Sequence, residues 1–154
     1  MYESKSLVKA LADKYGRDSE ALMPILQGII AEHNYLNDDA MLNIAKELDL
    51  SAAHVFGTAS FYSFLDHKER GKFVIRICRT ISCDMKGKAQ ILRTIEDTLK
   101  IKHGETTSDK KFTLLETNCM GWCHKAPAML INDIPYTELT TDKVIEIIQD
   151  YQNK

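Results

Sequence analysis

Cys119-Met120-Gly121-Trp122-Cys123 and, upstream, Cys78-Arg79-Thr80-Ile81-Ser82-Cys83 hold all four cysteines of the chain. The spacing is C-x4-C, thirty-five intervening residues, then C-x3-C. Each half is a two-thiolate claw, and a fold that brings the claws together makes a four-sulfur site for a metal centre. Gaps of this length suit the inorganic core of a 2Fe-2S cluster. Structural zinc, which most often uses C-x2-C, and a disulfide or free thiols are the alternatives.

Working outward, the residues before each claw read as strands. Residues 72–78, KFVIRIC, alternate Phe73, Ile75 and Ile77 against Val74 and Arg76 without a breaker, which predicts a strand ending at the first cysteine. Residues 112–117, FTLLET, predict a second strand that delivers Asn118 and Cys119. Between them, residues 87–100 place Ile91, Leu92, Ile95 and Leu99 on one side of an amphipathic helix, and the polar stretch 102–110 reads as a mobile loop. Strand, helix, strand implies a right-handed parallel crossover, so both claws fall at the C-terminal ends of neighbouring strands. Downstream, 128–131 and 134–138 flank the turn pair Asn132-Asp133 as a hairpin. Thr140 or Thr141 then caps a last helix with Val144, Ile147, Ile148 and Tyr151 inward. Residues 71–154 therefore read β-α-β-β-β-α, with a mixed four-stranded sheet.

Residues 1–70 carry the helical period instead. Leu7, Val8, Leu11 and Tyr15 recur up to Gly16. Leu22, Ile25, Leu26, Ile29 and Ile30 mark a helix that starts near Ser19, tolerates Pro24 in an early turn and ends about His33-Asn34. Asn37 caps a third helix with Met41, Ile44, Ala45 and Leu48 inward, and Ser51 caps a fourth with Val55, Phe56 and Ala59. Four short amphipathic helices predict a small N-terminal bundle. Its close is Phe61-Tyr62-Ser63-Phe64, read as core between the halves or else as a clamp on a partner; the charged stretch 66–71 is the boundary.

A thiolate ligand must be held deprotonated, and Cys83, just ahead of the predicted helix, gains from that helix's N-terminus. Gly121 can take a positive φ that curls Cys119 and Cys123 around one ion. Met120, Trp122 and Pro127 are candidates for an apolar collar that docks a partner, or for plain local packing. His124 invites a mixed His/Cys site, but a Rieske centre needs two histidines and no second one follows Cys83 correspondingly; it reads as a surface or supporting residue. His33, His54, His67 and His103 are scattered.

Composition removes several classes of function. Charged residues make up 27% of the chain and the formal net charge is -2, so there is no basic field for nucleic acid. No stretch approaches the roughly 20 apolar residues that span a bilayer, and the N-terminus shows no signal-peptide run, which points to a cytoplasmic protein without membrane insertion. In a reducing cytoplasm, four cysteines favour metal or redox chemistry. A dithiol oxidoreductase would need C-x-x-C, and neither claw has it. The seven glycines form no G-x-G-x-x-G and no P-loop, and no nucleophile-base pair stands out. A one-electron carrier without a substrate pocket needs a donor and an acceptor elsewhere, so the chain reads as a subunit or shuttle. A zinc-stapled adaptor is the alternative of another class.

CRTISC, NCMGWCHKAPAMLIND and the helical prelude ending in VFGTASFYSF together resemble the thioredoxin-like 2Fe-2S subunit family, the "24 kDa" subunit of NADH dehydrogenases. The resemblance covers nearly the whole chain. It implies a small helical domain followed by a thioredoxin-like ferredoxin domain, with Cys78, Cys83, Cys119 and Cys123 as cluster ligands. Gly121 and Ala126-Pro127 correspond to the family's C-x-G-x-C-x-x-A-P motif. It also implies partners: a subunit binding FMN and NAD(P), and a further iron-sulfur subunit. The compact length looks more like the small subunit of a soluble hydrogenase, electron-bifurcating or not, or of a formate dehydrogenase than that of the respiratory NADH:quinone oxidoreductase. The first claw departs from the family's common C-x-G-T-x-C, since Arg79-Thr80-Ile81-Ser82 has no glycine. A nearby Arg79 cation would tune the cluster's potential, unless it is simply solvated.

Overall fold

A computed structural model describes residues 2–154. It divides into two compact units, one up to Glu69 and one from Arg70 onward.

The first unit is helical: α1 (Tyr2–Tyr15), a 3-10 turn (Ser19–Ala21) leading into α2 (Leu22–His33), α3 (Asp38–Glu47) and α4 (Ala52–Phe61). The sequence signals set its ends. Gly16 stops α1 at φ +100° with its N–H on the Ala12 carbonyl at 2.9 Å. Asn37 Oδ1 accepts from the Ala40 N–H at 2.7 Å, and Ser51 Oγ accepts from the His54 N–H at 3.2 Å. Val8, Ile25, Leu26, Ile44, Val55 and Ala59 pack the interior. Two residues of the apolar patterns are not buried. Tyr15 is largely exposed, and Phe56 is half exposed and stacks on His67 at 5.5 Å. Val55 and Ala59 already fill the inward stripe of α4, and Phe56 lies about 100° around the helix from Val55. The aromatic run is not part of the helical unit's own core: Phe61 is 81% exposed, and Tyr62 and Phe64 are exposed too.

The second unit runs β1 (Phe73–Cys78), α5 (Ile81–Asp84), α6 (Lys88–Leu99), β2 (Phe112–Thr117), a 3-10 turn (Cys123–Lys125), β3 (Met129–Ile131), β4 (Ile134–Tyr136) and α7 (Thr141–Gln152). The sheet order is β2-β1-β3-β4. β1 and β2 are parallel, from Phe73 opposite Phe112 to Cys78 opposite Thr117, while β3 is antiparallel to both β1 and β4. The predicted mixed four-stranded sheet is thus present. Phe73, Ile75 and Ile77 share a core with Ile91, Ile95 and Leu99 of α6 and Val144, Ile148 and Tyr151 of α7, so both helices cover one face. No helix among the described residues is long and apolar enough to cross a membrane.

Three local features differ from the sequence reading. All six residues of β1 are buried, Arg76 included, so the strand does not show one face to water. Residues 102–110 are pinned along the free edge of β2: Gly104 N–H donates to the Leu114 carbonyl (2.7 Å), Leu114 N–H to the Glu105 carbonyl (3.0 Å) and Thr107 N–H to the Phe112 carbonyl (2.8 Å). A polar loop that pairs with an edge strand is held by its backbone, which side-chain polarity does not reveal. Finally, Cys83 does not stand just ahead of the long helix but lies within the separate short helix α5, divided from α6 by Gly87 at φ +91°.

Thr113 is fully buried, and its hydroxyl accepts from the Gly71 N–H at 2.7 Å and shares a hydrogen bond with Thr106 Oγ1 at 2.8 Å. Thr113→Val keeps the shape and leaves the buried Gly71 amide without that acceptor, for an expected loss of about 1–3 kcal/mol in denaturant unfolding. A second check is alkaline. Burial, and then the Tyr151 hydroxyl 3.0 Å away, push Tyr136 up to about 12. Its folded pKa lies above the ordinary value of about 10, so the neutral form's stabilisation is complete below that pH and is lost as pH rises through the folded value. The melting temperature should therefore fall across this range, and less steeply in Tyr136→Phe.

Candidate metal centre

β1 delivers Cys78 as its last residue, and its N–H is fixed on the Ala128 carbonyl at 3.1 Å. Two residues on, Thr80 places its hydroxyl 3.1 Å from the Cys78 sulfur, which is why it caps α5 by backbone alone. The Cys83 N–H closes that turn on the Thr80 carbonyl at 3.0 Å. Both sulfurs of this claw are buried, at 2% and 1% residue exposure. Thr117, the last residue of β2, lies level with Cys78, so Asn118 and Cys119 emerge at the same end of the sheet. Gly121 takes φ +88° and turns its N–H to the Cys119 sulfur at 3.4 Å, which brings Cys123 back to a sulfur-sulfur distance of 3.1 Å. This second claw is exposed.

The claws face each other. Met120 packs with Cys78, Cys83 and Ala126, and Pro127 is buried. Burial pushes the Cys78 thiol up, but hydrogen bonds from the Thr80 hydroxyl and amide, from Cys83 and from the Met120 amide together bring it below its ordinary value. Burial, then hydrogen bonding to Cys78, raises Cys83 against the Ala128 amide. Cys123 is raised first by its hydrogen bond with Cys119 and further by the charge of Cys78 across the site. Several thiolates crowded together repel, and a cationic metal centre removes that cost.

Among the described residues no three His, Cys, Asp or Glu side chains cluster as a site for a single ion. The sulfurs instead form a buried pair and an exposed pair. Two claws of two sulfurs are the donor set of a two-iron core, in which each iron takes two thiolates. The residues therefore fit such a cluster.

A family described as thioredoxin-like [2Fe-2S] ferredoxin matches residues 8–152. The chain belongs to this family. Its cofactor is accordingly a 2Fe-2S cluster. Relatives named as subunits of NADH-quinone oxidoreductase include one from Buchnera aphidicola, 35% identical over 90% of this chain and 86% of its own. Another, from Aquifex aeolicus, is 30% identical over 97% and 93%. A third, from Thermus thermophilus, is 33% identical over 83% and 71%. Among solved structures, an NAD+-reducing [NiFe]-hydrogenase in the air-oxidized state superposes with a TM-score of 0.76 at 23% identity, covering 86% of this chain but only 23% of that one. That likeness is one of fold.

His124 is exposed and stacks its ring on Trp122 at 5.9 Å. Arg79 is not merely solvated: its Nε donates to Asn118 Oδ1 at 3.0 Å. Sequence reasoning passed over the Thr80 hydroxyl, although a hydroxyl two residues after a cysteine is a usable signal. It also passed over Ile81 and Met85, which stand 71% and 82% exposed around Cys83, and over Lys88, whose ammonium meets Glu116 at 2.9 Å from 28 positions away. An ion pair so distant in sequence leaves no local pattern.

A Cβ on Gly121 would meet nothing within 4 Å, so the constraint there is φ alone. A β-branched residue in the left-handed region costs at least ~1–2 kcal/mol, whereas Asn tolerates it. Gly121→Val should therefore retain less iron after anaerobic purification than Gly121→Asn, which should approach the parent. Equal retention in both would show that the left-handed turn is not what shapes the claw.

Proposed function

We propose that Cys78, Cys83, Cys119 and Cys123 are the ligands of the cluster, one iron to each claw, and that the chain is an electron-transfer subunit of a multi-subunit NADH-linked oxidoreductase. The observation that carries the ligand set is the convergence of both claws at the C-terminal ends of the paired strands β1 and β2. When bound, the cluster supplies one-electron oxidation and reduction. The chain's own residues do the rest. Met120, Ala126 and the buried Cys78 and Cys83 exclude water from one side, and the exposed Cys119 and Cys123 leave the other open to an electron partner.

The relatives' names, matched nearly end to end, support the NADH-linked assembly. Because this sequence carries no nucleotide or flavin motif, flavin and NAD(P) belong to a partner subunit, with a further iron-sulfur subunit beyond it, and the chain alone turns over no substrate. Cluster binding belongs to residues 71–154; the exposed Phe61, Tyr62 and Phe64 in residues 1–70 serve the partner. Respiratory-type assembly has the support of the relatives' names, and a soluble hydrogenase or formate dehydrogenase is the alternative. The chains that co-purify, and whether the complex reduces quinone or exchanges electrons with hydrogen or formate, separate them.

Anaerobically purified protein should contain about two iron and two sulfide per chain and give an S = 1/2 EPR signal on reduction. Replacing any one of Cys78, Cys83, Cys119 or Cys123 with Ser should alter or abolish that signal. Stoichiometric zinc without sulfide would overturn the reading.

A further inference from the structure

Arg79 follows Cys78 and Asn118 precedes Cys119, and their side chains tie the two claw loops together beside the hydrogen bond from the Met120 amide to Cys78. Arg79 Nε donates to Asn118 Oδ1 at 3.0 Å, and the Arg79 N–H donates to the Thr117 carbonyl at 2.9 Å, extending the β1–β2 ladder one step beyond the last strand residues. Four positions past α5, Lys88 reaches the same strand end through Glu116 at 2.9 Å, with both side chains mostly buried. The segment after Cys78 is thus tied to the end of β2 and the residue beyond it at two places, by one exposed hydrogen bond and one sheltered ion pair. The exposed tie is made by the residue that follows Cys78 and the residue that precedes Cys119.

We infer that Arg79 is a positioning and tuning residue for the cluster: its link to Asn118 holds the two claws at a fixed separation, and its charge favours the reduced state. This rests on the ligand set proposed above. Reduction adds a negative charge to a cluster held by four thiolates, and a nearby cation stabilises that state more than the oxidised one. Removing it lowers the potential. The link also restrains the exposed claw, which is the route by which a chelator reaches the iron. A hydrogen bond of this kind corresponds to about a 2- to 10-fold change in a release rate.

The test compares the cluster-loaded full chain with Arg79→Ala, Asn118→Ala, the double variant and Arg79→Lys, following iron release to a ferrous chelator and the midpoint potential by EPR-monitored titration. Arg79→Ala and Asn118→Ala should each release iron about 2- to 10-fold faster, and the double variant no faster than the quicker single one, because both remove the same bond. The potential should drop in Arg79→Ala and hold near the parent's in Arg79→Lys, which keeps the charge while losing the Nε donor; its release should stay fast. Parent-like release in Arg79→Ala, or single effects that multiply in the double variant, would overturn the link. Equal drops in potential for Ala and Lys would overturn the charge role. A parent chain holding two irons and two sulfides in these outcomes would leave the ligand set standing; a parent without iron would overturn both.

Discussion

The parallel pairing of β1 with β2 is the constraint on which the site depends. With Cys78 level with Thr117, the chain leaves both strands at one end of the sheet, and two claws thirty-five residues apart in sequence meet there. A slip of one residue would turn every side chain of β2 to the other face and take the Phe112 and Leu114 contacts out of the core. The core therefore fixes the register, and the register fixes the sulfurs. β3 completes the enclosure by returning antiparallel on the other side of β1, so that Ala128 holds the Cys78 amide and Ala126 lies against its sulfur.

From that placement comes an asymmetry. Cys78 ends an interior strand and is buried with Cys83, whereas Cys119 and Cys123 follow an edge strand and open to solvent. An electron carrier needs this arrangement: burial on one side limits water around the cluster, and exposure on the other shortens the distance to a partner. Ile81 and Met85 expose apolar side chains close to the buried claw, on a four-residue helix too short to bury them.

How much of this was legible follows from the range of each signal. Caps and stops such as Gly16, Asn37 and Ser51 act within four residues and were read directly. The strand ends that carry the cysteines were legible because a period of two breaks off there. Burial on α4 was not, since AAHVFGTASF is apolar or small around most of its circumference and no polar face marks which side turns inward. α5 was missed because four residues cannot display a helical period. The ordering of residues 102–110 depends on backbone bonds to β2, and the Arg79–Asn118 and Lys88–Glu116 contacts depend on the tertiary fold, so neither could be read from local composition.

The core and the site are also separate bodies of contact. The sheet's apolar core runs through Ile75, Ile95, Leu114 and Ile148, while Cys78 and Cys83 pack in a small cluster of their own with Ala126 and Met120. The largest side chains buried in this unit belong to the core and none to the site. A zinc finger has no such division, and loses its fold with its metal because the ligands are its core. Here burial and Cys78 raise the Cys83 thiol above its ordinary value, and Cys119 raises Cys123, which favours their neutral forms in the metal-free chain. On the proposed ligand set, the strands that carry the claws are held by the apolar core and not by the metal centre.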